Sequence, residues 1–169
     1  RIARRQRQMC IRDRGNMYKI LQVAIITILC DQLSKLTMLY LLDLPSVGII
    51  DVFPPYLQFT MAWNYGVNFG LFANSTEIMR WVLIIIAFLI CFVVIRWSVS
   101  EKFGSLGLVA CGFLVGGAAG NAIDRFFHGA VVDFLNVSCC GISNPFAFNV
   151  ADIFIFFGAL GLVIFSGKQ

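Results

Sequence analysis

Apolar residues fill this chain in long runs, and polar residues break those runs at a few fixed places. A helix needs roughly 20 apolar residues to cross a bilayer. Four runs reach that length, at about 19–42, 78–99, 104–125 and 149–167, and they predict four transmembrane helices. Two long connections, about 43–77 and 126–148, separate them, whereas the link between the second and third runs is short. The first connection carries Pro45, Pro54 and Pro55 and β-like stretches such as "YLQFTMAW". The second carries Gly129, Gly141 and Pro145. In the third run Gly112, Gly116 and Gly120 recur every four residues, a flat strip that lets a neighbouring helix come close. That pattern is a packing motif and carries no chemistry.

Composition supports the membrane reading. The chain of 169 residues is 59% hydrophobic and 13% charged, against roughly 45–50% and about 25% for an average soluble domain. One integral-membrane domain over 16–169 is expected.

The net charge of +4 changes the picture only when divided. Residues 1–15 hold six Arg and one Asp, and the rest is nearly neutral. This basic tail is expected to be disordered or non-native and is set aside from the fold. Outside it no basic face exists, which argues against nucleic-acid binding. The apolar character after Tyr18 runs on past Cys30 without a small-residue cleavage site, so a retained span is read rather than a signal peptide. The connections 43–77 and 126–148 contain no Lys or Arg, while the tail, Lys19, Arg96, Lys102 and Lys168 flank the other ends. The positive-inside rule then puts both termini in the cytoplasm and both long connections outside.

Ionisable groups in a span cost at least about 2.5–3.5 kcal/mol at its centre and so point to function. Asp31 and Lys35 stand four apart in the first run; Asn121, Asp124 and Arg125 crowd the end of the third. Asn149 and Asp152 stand three apart at the start of the fourth, and Asp133 lies in the second connection between Val132 and Phe134. With the orientation above, all of them fall at one level near the outer surface. Each has a plain alternative. Asn149 fits an N-cap with Asp152 in the first turn, Asp31–Lys35 fits an i,i+4 ion pair, and Arg125 fits the headgroup level. The plain readings explain single residues and not their shared depth.

Several chemistries lack their residues. No G-x-S-x-G motif for a serine nucleophile and no H-E-x-x-H occur. The one histidine, His128, could pair with Cys139 or Cys140 only as a weak candidate, and no C-x-x-C suggests a metal. What remains is two carboxylates. Brought close they cannot both ionise, so one can take a proton from water while the other donates. A transporter or proton relay could also use such residues, but it would need polar groups at the midplane and favours internal repeats. A non-catalytic assembly subunit is the other alternative.

Five motifs in order, "DQLSK" at 31–35, "NYGVNFGLF" at 64–72, "GGAAGNAIDR" at 116–125, "GAVVDF" at 129–134 and "FNVAD" at 148–152, resemble the lipoprotein signal peptidases, or signal peptidase II. The resemblance covers about residues 17–167. It implies an all-α membrane protein of four transmembrane helices with a small periplasmic β-cradle, from about 43–75, and a lid segment. It implies an aspartyl endopeptidase of the bacterial inner membrane, working near the periplasmic face without metal or cofactor. Its substrate would be a diacylglyceryl-modified prolipoprotein, cut just before the modified cysteine, with membrane lipids around a monomer. Motif positions make Asp133 and Asp152 catalytic, and Asn64, Asn121, Arg125 and Asn149 substrate-binding or site-shaping. Asp31, Lys35, Asp124, Gly116 and Gly120 match positions that look structural. Val67, Asn68, Gly70 and Ile153 depart from the usual pattern and bear on specificity rather than on the reaction.

Overall fold

The computed structural model describes residues 2–66, 76–139 and 144–166. Helix α1 spans Ile2–Leu36 and passes into a π-helical turn, Thr37–Leu41. A short helix α2, Leu44–Val47, leads to strands β1, Ile49–Phe53, and β2, Leu57–Asn64. Helices α3, Thr76–Ser100, and α4, Ser105–His128, follow; then strand β3, Val131–Val137, and helix α5, Val150–Phe165. Of the residues expected to form a tail, 2–15 lie on α1, which is continuous from Ile2.

In hydrocarbon every backbone N–H and C=O must be paired within the segment, so long apolar runs fold as helices. Among the described residues three helices are long and apolar enough to cross a membrane: Arg14–Leu41, Glu77–Ser100 and Ser105–His128. These match the first three predicted runs. The fourth, α5, has 16 residues, a length of about 24 Å at 1.5 Å per residue, which falls short of a hydrocarbon core of about 30 Å. Its beginning is set at Asn149 by a capping box rather than by loss of apolar character.

Helix α4 is the centre of the bundle and packs on α1, α3 and α5. Its small residues allow this. A Cβ on Gly116 would stand 2.6 Å from Thr27 Cβ and 2.7 Å from the Ala24 carbonyl oxygen, so the predicted strip faces α1. A different set serves α5: a Cβ on Gly117 would meet the Ala151 carbonyl at 2.6 Å. Helix α3 turns Ile85, Phe88, Leu89, Phe92 and Val93 outward, as a helix facing lipid does.

Strands β1, β2 and β3 form one antiparallel sheet in that order. The expected cradle at 43–75 supplied only two of them. The third comes from the second connection, and it carries Asp133. Val132 and Phe134 of β3 pack with Met38 and Leu44 in an apolar cluster beside the π-helical turn. Alternation along a strand then sends Asp133 to the other face. The part of the first connection at 67–75, with Val67, Asn68, Gly70 and the expected lid, lies outside the described residues, as does Cys140.

Candidate active site

Local geometry brings Asp133 and Asp152 together in two steps. First, the chain entering α5 is tied to β3. Phe148 O accepts from Phe134 N at 3.1 Å and Leu135 N at 2.8 Å, and Phe148 N donates to Leu135 O at 2.9 Å. The next residue, Asn149, is the N-cap of α5. Its Oδ1 accepts from Asp152 N at 2.9 Å, and Asp152 Oδ2 accepts from Asn149 N at 3.3 Å. Two of the orphan N–H groups at the helix start are thereby satisfied. So Asp152 sits one turn into a helix whose first residue is anchored beside Asp133.

Second, side-chain amides join the two carboxylates. Asn149 Nδ2 donates to Asp133 Oδ1 at 2.6 Å and to Asn121 Oδ1 at 3.2 Å. Asn121 Nδ2 donates to Asp152 Oδ1 at 2.9 Å. Asn64 Nδ2 donates to Asp133 Oδ2 at 3.0 Å. That last contact follows from register. Asp133 pairs with Ala62 and Val131 with Asn64, both beyond the register shift between Phe59 and Ala62. Asn64 is therefore the diagonal neighbour of Asp133 on the same face. Each of the four carboxylate oxygens has one donor, and each keeps a further lone pair.

Asp133 is 3% exposed and Asp152 is half-buried. Burial pushes the Asp133 carboxyl up to about 6, with the Asp152 charge adding to the rise. The hydrogen bonds from Asn64 and Asn149 and the charge of Lys35 act against it. Arg125 is near enough for the charges of Asp133, Asp152 and Asp124 to act on it. Its Nη1 reaches Asn121 O at 3.4 Å, and its Nε is buried without a hydrogen-bond partner.

The residues expected to be structural form a second, deeper layer. Lys35 Nζ lies 2.8 Å from Asp31 Oδ2 and 2.6 Å from Asp124 Oδ2, and donates to Asn121 Oδ1 at 3.2 Å. The i,i+4 pair read from the sequence is present; its extension to Asp124 was not foreseen. Gly120 makes room for it, since a Cβ there would stand 2.6 Å from Asp31 Oδ2. Gln32 also escaped the sequence reading. It donates to Asp124 Oδ1 at 2.9 Å and Asp31 Oδ2 at 3.2 Å, and its place inside "DQLSK" was the available signal. Asn64, Asn121, Arg125 and Asn149 lie around Asp133 and Asp152. His128 lies apart, its ring 5.8 Å from that of Trp63.

Known proteins resemble this chain in sequence and in fold. The model of the family described as signal peptidase (SPase) II matches residues 23–167. A lipoprotein signal peptidase of Methylobacterium sp. (strain 4-46) is 40% identical over 144 residues, covering 85% of this chain and 86% of that protein. Another, of Nitrobacter hamburgensis (strain DSM 10229 / NCIMB 13809 / X14), is 33% identical and covers 83% and 86%. A solved structure titled as a bacterial membrane enzyme superposes with a TM-score of 0.70 at 26% identity, over 86% of this chain and 85% of that one. The chain belongs to the signal peptidase II family and is a membrane peptidase.

Proposed function

We propose that this peptidase removes signal peptides from prolipoproteins by hydrolysing the bond just before the diacylglyceryl-modified cysteine, with Asp133 and Asp152 acting on one water. The observation that carries the mechanism is the amide bridge: Asn149 and Asn121 link the two carboxylates, and among the described residues no cation is bonded to either. Two carboxylates held this way can divide the work of acid and base between them.

Asp133, the more buried, holds the proton; Asp152, half-exposed, takes one from water as the water oxygen attacks the scissile carbonyl. The Asp133 proton passes to the carbonyl oxygen to give a neutral tetrahedral diol. Asp152 then returns its proton to the leaving nitrogen as the C–N bond breaks. Asp133 recovers its proton from the diol, and the pair ends as it began. Arg125 borders the site and would fix the substrate backbone, while Asn64 holds the Asp133 carboxylate.

The chain would sit in the bacterial inner membrane with both termini cytoplasmic, α5 serving as the fourth span and the sheet facing the periplasm. The Lys/Arg bias of its connections supports that orientation. The signal peptide would lie among the helices and the diacylglyceryl tails would stay in lipid. A dyad at the membrane edge then meets water while the substrate remains in the bilayer.

The test is cleavage of a diacylglyceryl-modified precursor by the purified protein in detergent. Wild type should cleave; Asp133→Asn and Asp152→Asn should stay folded by thermal melt and be inert. Near-normal turnover by either folded variant would remove that aspartate from the chemistry. A wild type that cleaves the unmodified precursor equally well would break the substrate assignment.

A further inference from the structure

Lys35 does not touch Asp133 or Asp152, yet it sits where both are set. The residue before Asp133 is Val132, and its N–H donates to Asp124 Oδ2 at 3.2 Å. The residue before Asp152 is Ala151, and its N–H donates to Asp31 Oδ1 at 2.9 Å. Asp124 and Asp31 are the two carboxylates that Lys35 joins, at 2.6 and 2.8 Å. One ammonium thus closes a bridge from the backbone of β3, through Asp124 and Asp31, to the backbone of α5. The two ends of that bridge are each one residue from an acid of the pair.

Lys35 Nζ also donates to Asn121 Oδ1 at 3.2 Å. Asn149 Nδ2 points at the same oxygen. Two donors on one side oblige the Asn121 carbonyl to face them, so its amide nitrogen must face Asp152. Turned the other way, NH2 would meet NH3+ and a carbonyl would meet a carboxylate. Lys35, Asp31 and Asp124 are 2%, 0% and 1% exposed, so the cluster is shielded from bulk water and its charges act strongly on one another. The charged groups around Lys35 are Asp31 from its own helix, Asp124 from α4 and Asp133 from β3.

We propose that Lys35 is a positioning residue of the peptidase reaction, setting the spacing of Asp133 and Asp152 through Asp124 and Asp31 and the facing of the Asn121 amide. This rests on the aspartate-pair reading above. A buried ion pair alone is weak evidence for stability; here its geometry is spent on the backbone beside each acid.

The experiment compares wild type, Lys35→Met/Asp124→Asn and Lys35→Arg as full chains in detergent on the lipid-modified precursor. The double variant removes one positive and one negative charge, so the net charge of the cluster is kept, and an amide oxygen still faces Val132 N–H. It should melt below wild type, because Asp31 stays buried without its ammonium, but still cooperatively and with a KM close to wild type. Its kcat should fall about 100-fold, the scale of a displacement of about 1 Å in a catalytic group. The alkaline limb of kcat/KM should move to higher pH, because Lys35 opposes the rise at Asp133. Lys35→Arg keeps the charge but offers its donors in one plane, and should lose about tenfold in kcat with KM unchanged. If the folded double variant keeps kcat within about threefold of wild type, the inference is wrong. If it fails to fold, Lys35→Arg decides: wild-type kcat and pH profile overturn the inference, and a kcat loss at unchanged KM supports it. An inert wild type, or an active Asp133→Asn, would instead break the aspartate-pair reading itself.

Discussion

Asp31 and Asp124 on one side, and Asp133 and Asp152 on the other, are four carboxylates drawn into the same end of the bundle, and their neighbours differ in kind. The first two share an ammonium, the Gln32 amide and two backbone N–H groups. Among the described residues the second two are hydrogen-bonded only by amides: Asn64, Asn121, the Asn149 side chain and its backbone N–H. A full positive charge bonded to a carboxylate fixes it as an anion, because protonating it would strand the cation. Amides satisfy the oxygens without neutralising them, which leaves a proton as the species the pair can exchange. The comparison separates a pair that holds shape from a pair able to do acid–base work. Depth agrees with it: Asp31 and Asp124 are fully enclosed, whereas Asp152 remains half-buried and open to water.

The largest expected effect strikes the amide-held pair. Acid–base groups contribute up to about 10⁴-fold, and Asp133→Asn or Asp152→Asn should lose turnover on that order in the cleavage assay while still melting cooperatively. Asp133→Asn should also be the more stable protein at high pH. The folded Asp133 carboxyl titrates at about 6 against an ordinary 3.8, so the folded state binds that proton more tightly. The stability it contributes is full below about pH 4 and is lost as pH rises through about 6. Melting curves of wild type and Asp133→Asn should therefore diverge as pH rises from about 4 to about 7, the variant ending higher. Parallel curves would mean that burial does not act on this carboxyl as described.

The next effect strikes the ammonium-held pair and should appear in stability first. Asp124→Ala leaves Val132 N–H unpaired and Lys35 with a single carboxylate. Breaking a buried pair by removing one partner costs roughly 3–5 kcal/mol, read as a large drop in the denaturation midpoint in detergent. If Asp124→Ala instead melts like wild type and merely loses turnover, the division between the two pairs collapses. Gly120→Ala probes the same layer more gently. Its new Cβ would stand 2.6 Å from Asp31 Oδ2, so it should lower the melting temperature by a few degrees, on the scale of about 1–3 kcal/mol for overpacking. The same change at Gly129, which has nothing within 4 Å but a φ of +79°, would test backbone strain in place of crowding.

Much of this contrast was legible in the sequence, unevenly. Helical runs announce themselves by length, and Asp31–Lys35 and Asn149–Asp152 by spacings of four and three along one helix. Those are local rules, and both pairs formed contacts of the expected kind. The strand that carries Asp133 was not legible as part of the sheet. Val131, Val132, Asp133 and Phe134 are all buried, so the alternation that marks a half-exposed strand is erased. The Lys35–Asp124 contact joins α1 to α4 across most of the chain, and no spacing rule reaches that far. The anchoring N–H groups of Val132 and Ala151 belong to the backbone, which leaves no mark on residue type. Motif resemblance pointed to side chains that gather at this end of the bundle without saying which carboxylate would face a cation.

The smallest expected effect is at Asn64, where the comparison can be tuned without being broken. Asn64 is exposed, and it touches the network only through Asp133 Oδ2, at 3.0 Å, and its own turn, where Gly66 N donates to its Oδ1 at 2.9 Å. Its hydrogen bond favours the charged form of Asp133 and so works against the upward push of burial. Asn64→Ala removes that donor and leaves Asn149, Asn121 and the whole Lys35 layer in place. The Asp133 carboxyl should then hold its proton to higher pH, and the alkaline limb of kcat/KM should move up with it. Turnover near neutral pH should change by no more than about tenfold, since one hydrogen bond to a charged group is worth about 1.5–3 kcal/mol and only part of that separates the two protonation states. A limb that moves down, or stays fixed while turnover falls, would mean that Asn64 meets the substrate rather than the proton. It would then belong with Arg125 as a group that holds the peptide, and the amides around Asp133 could no longer be treated as one set.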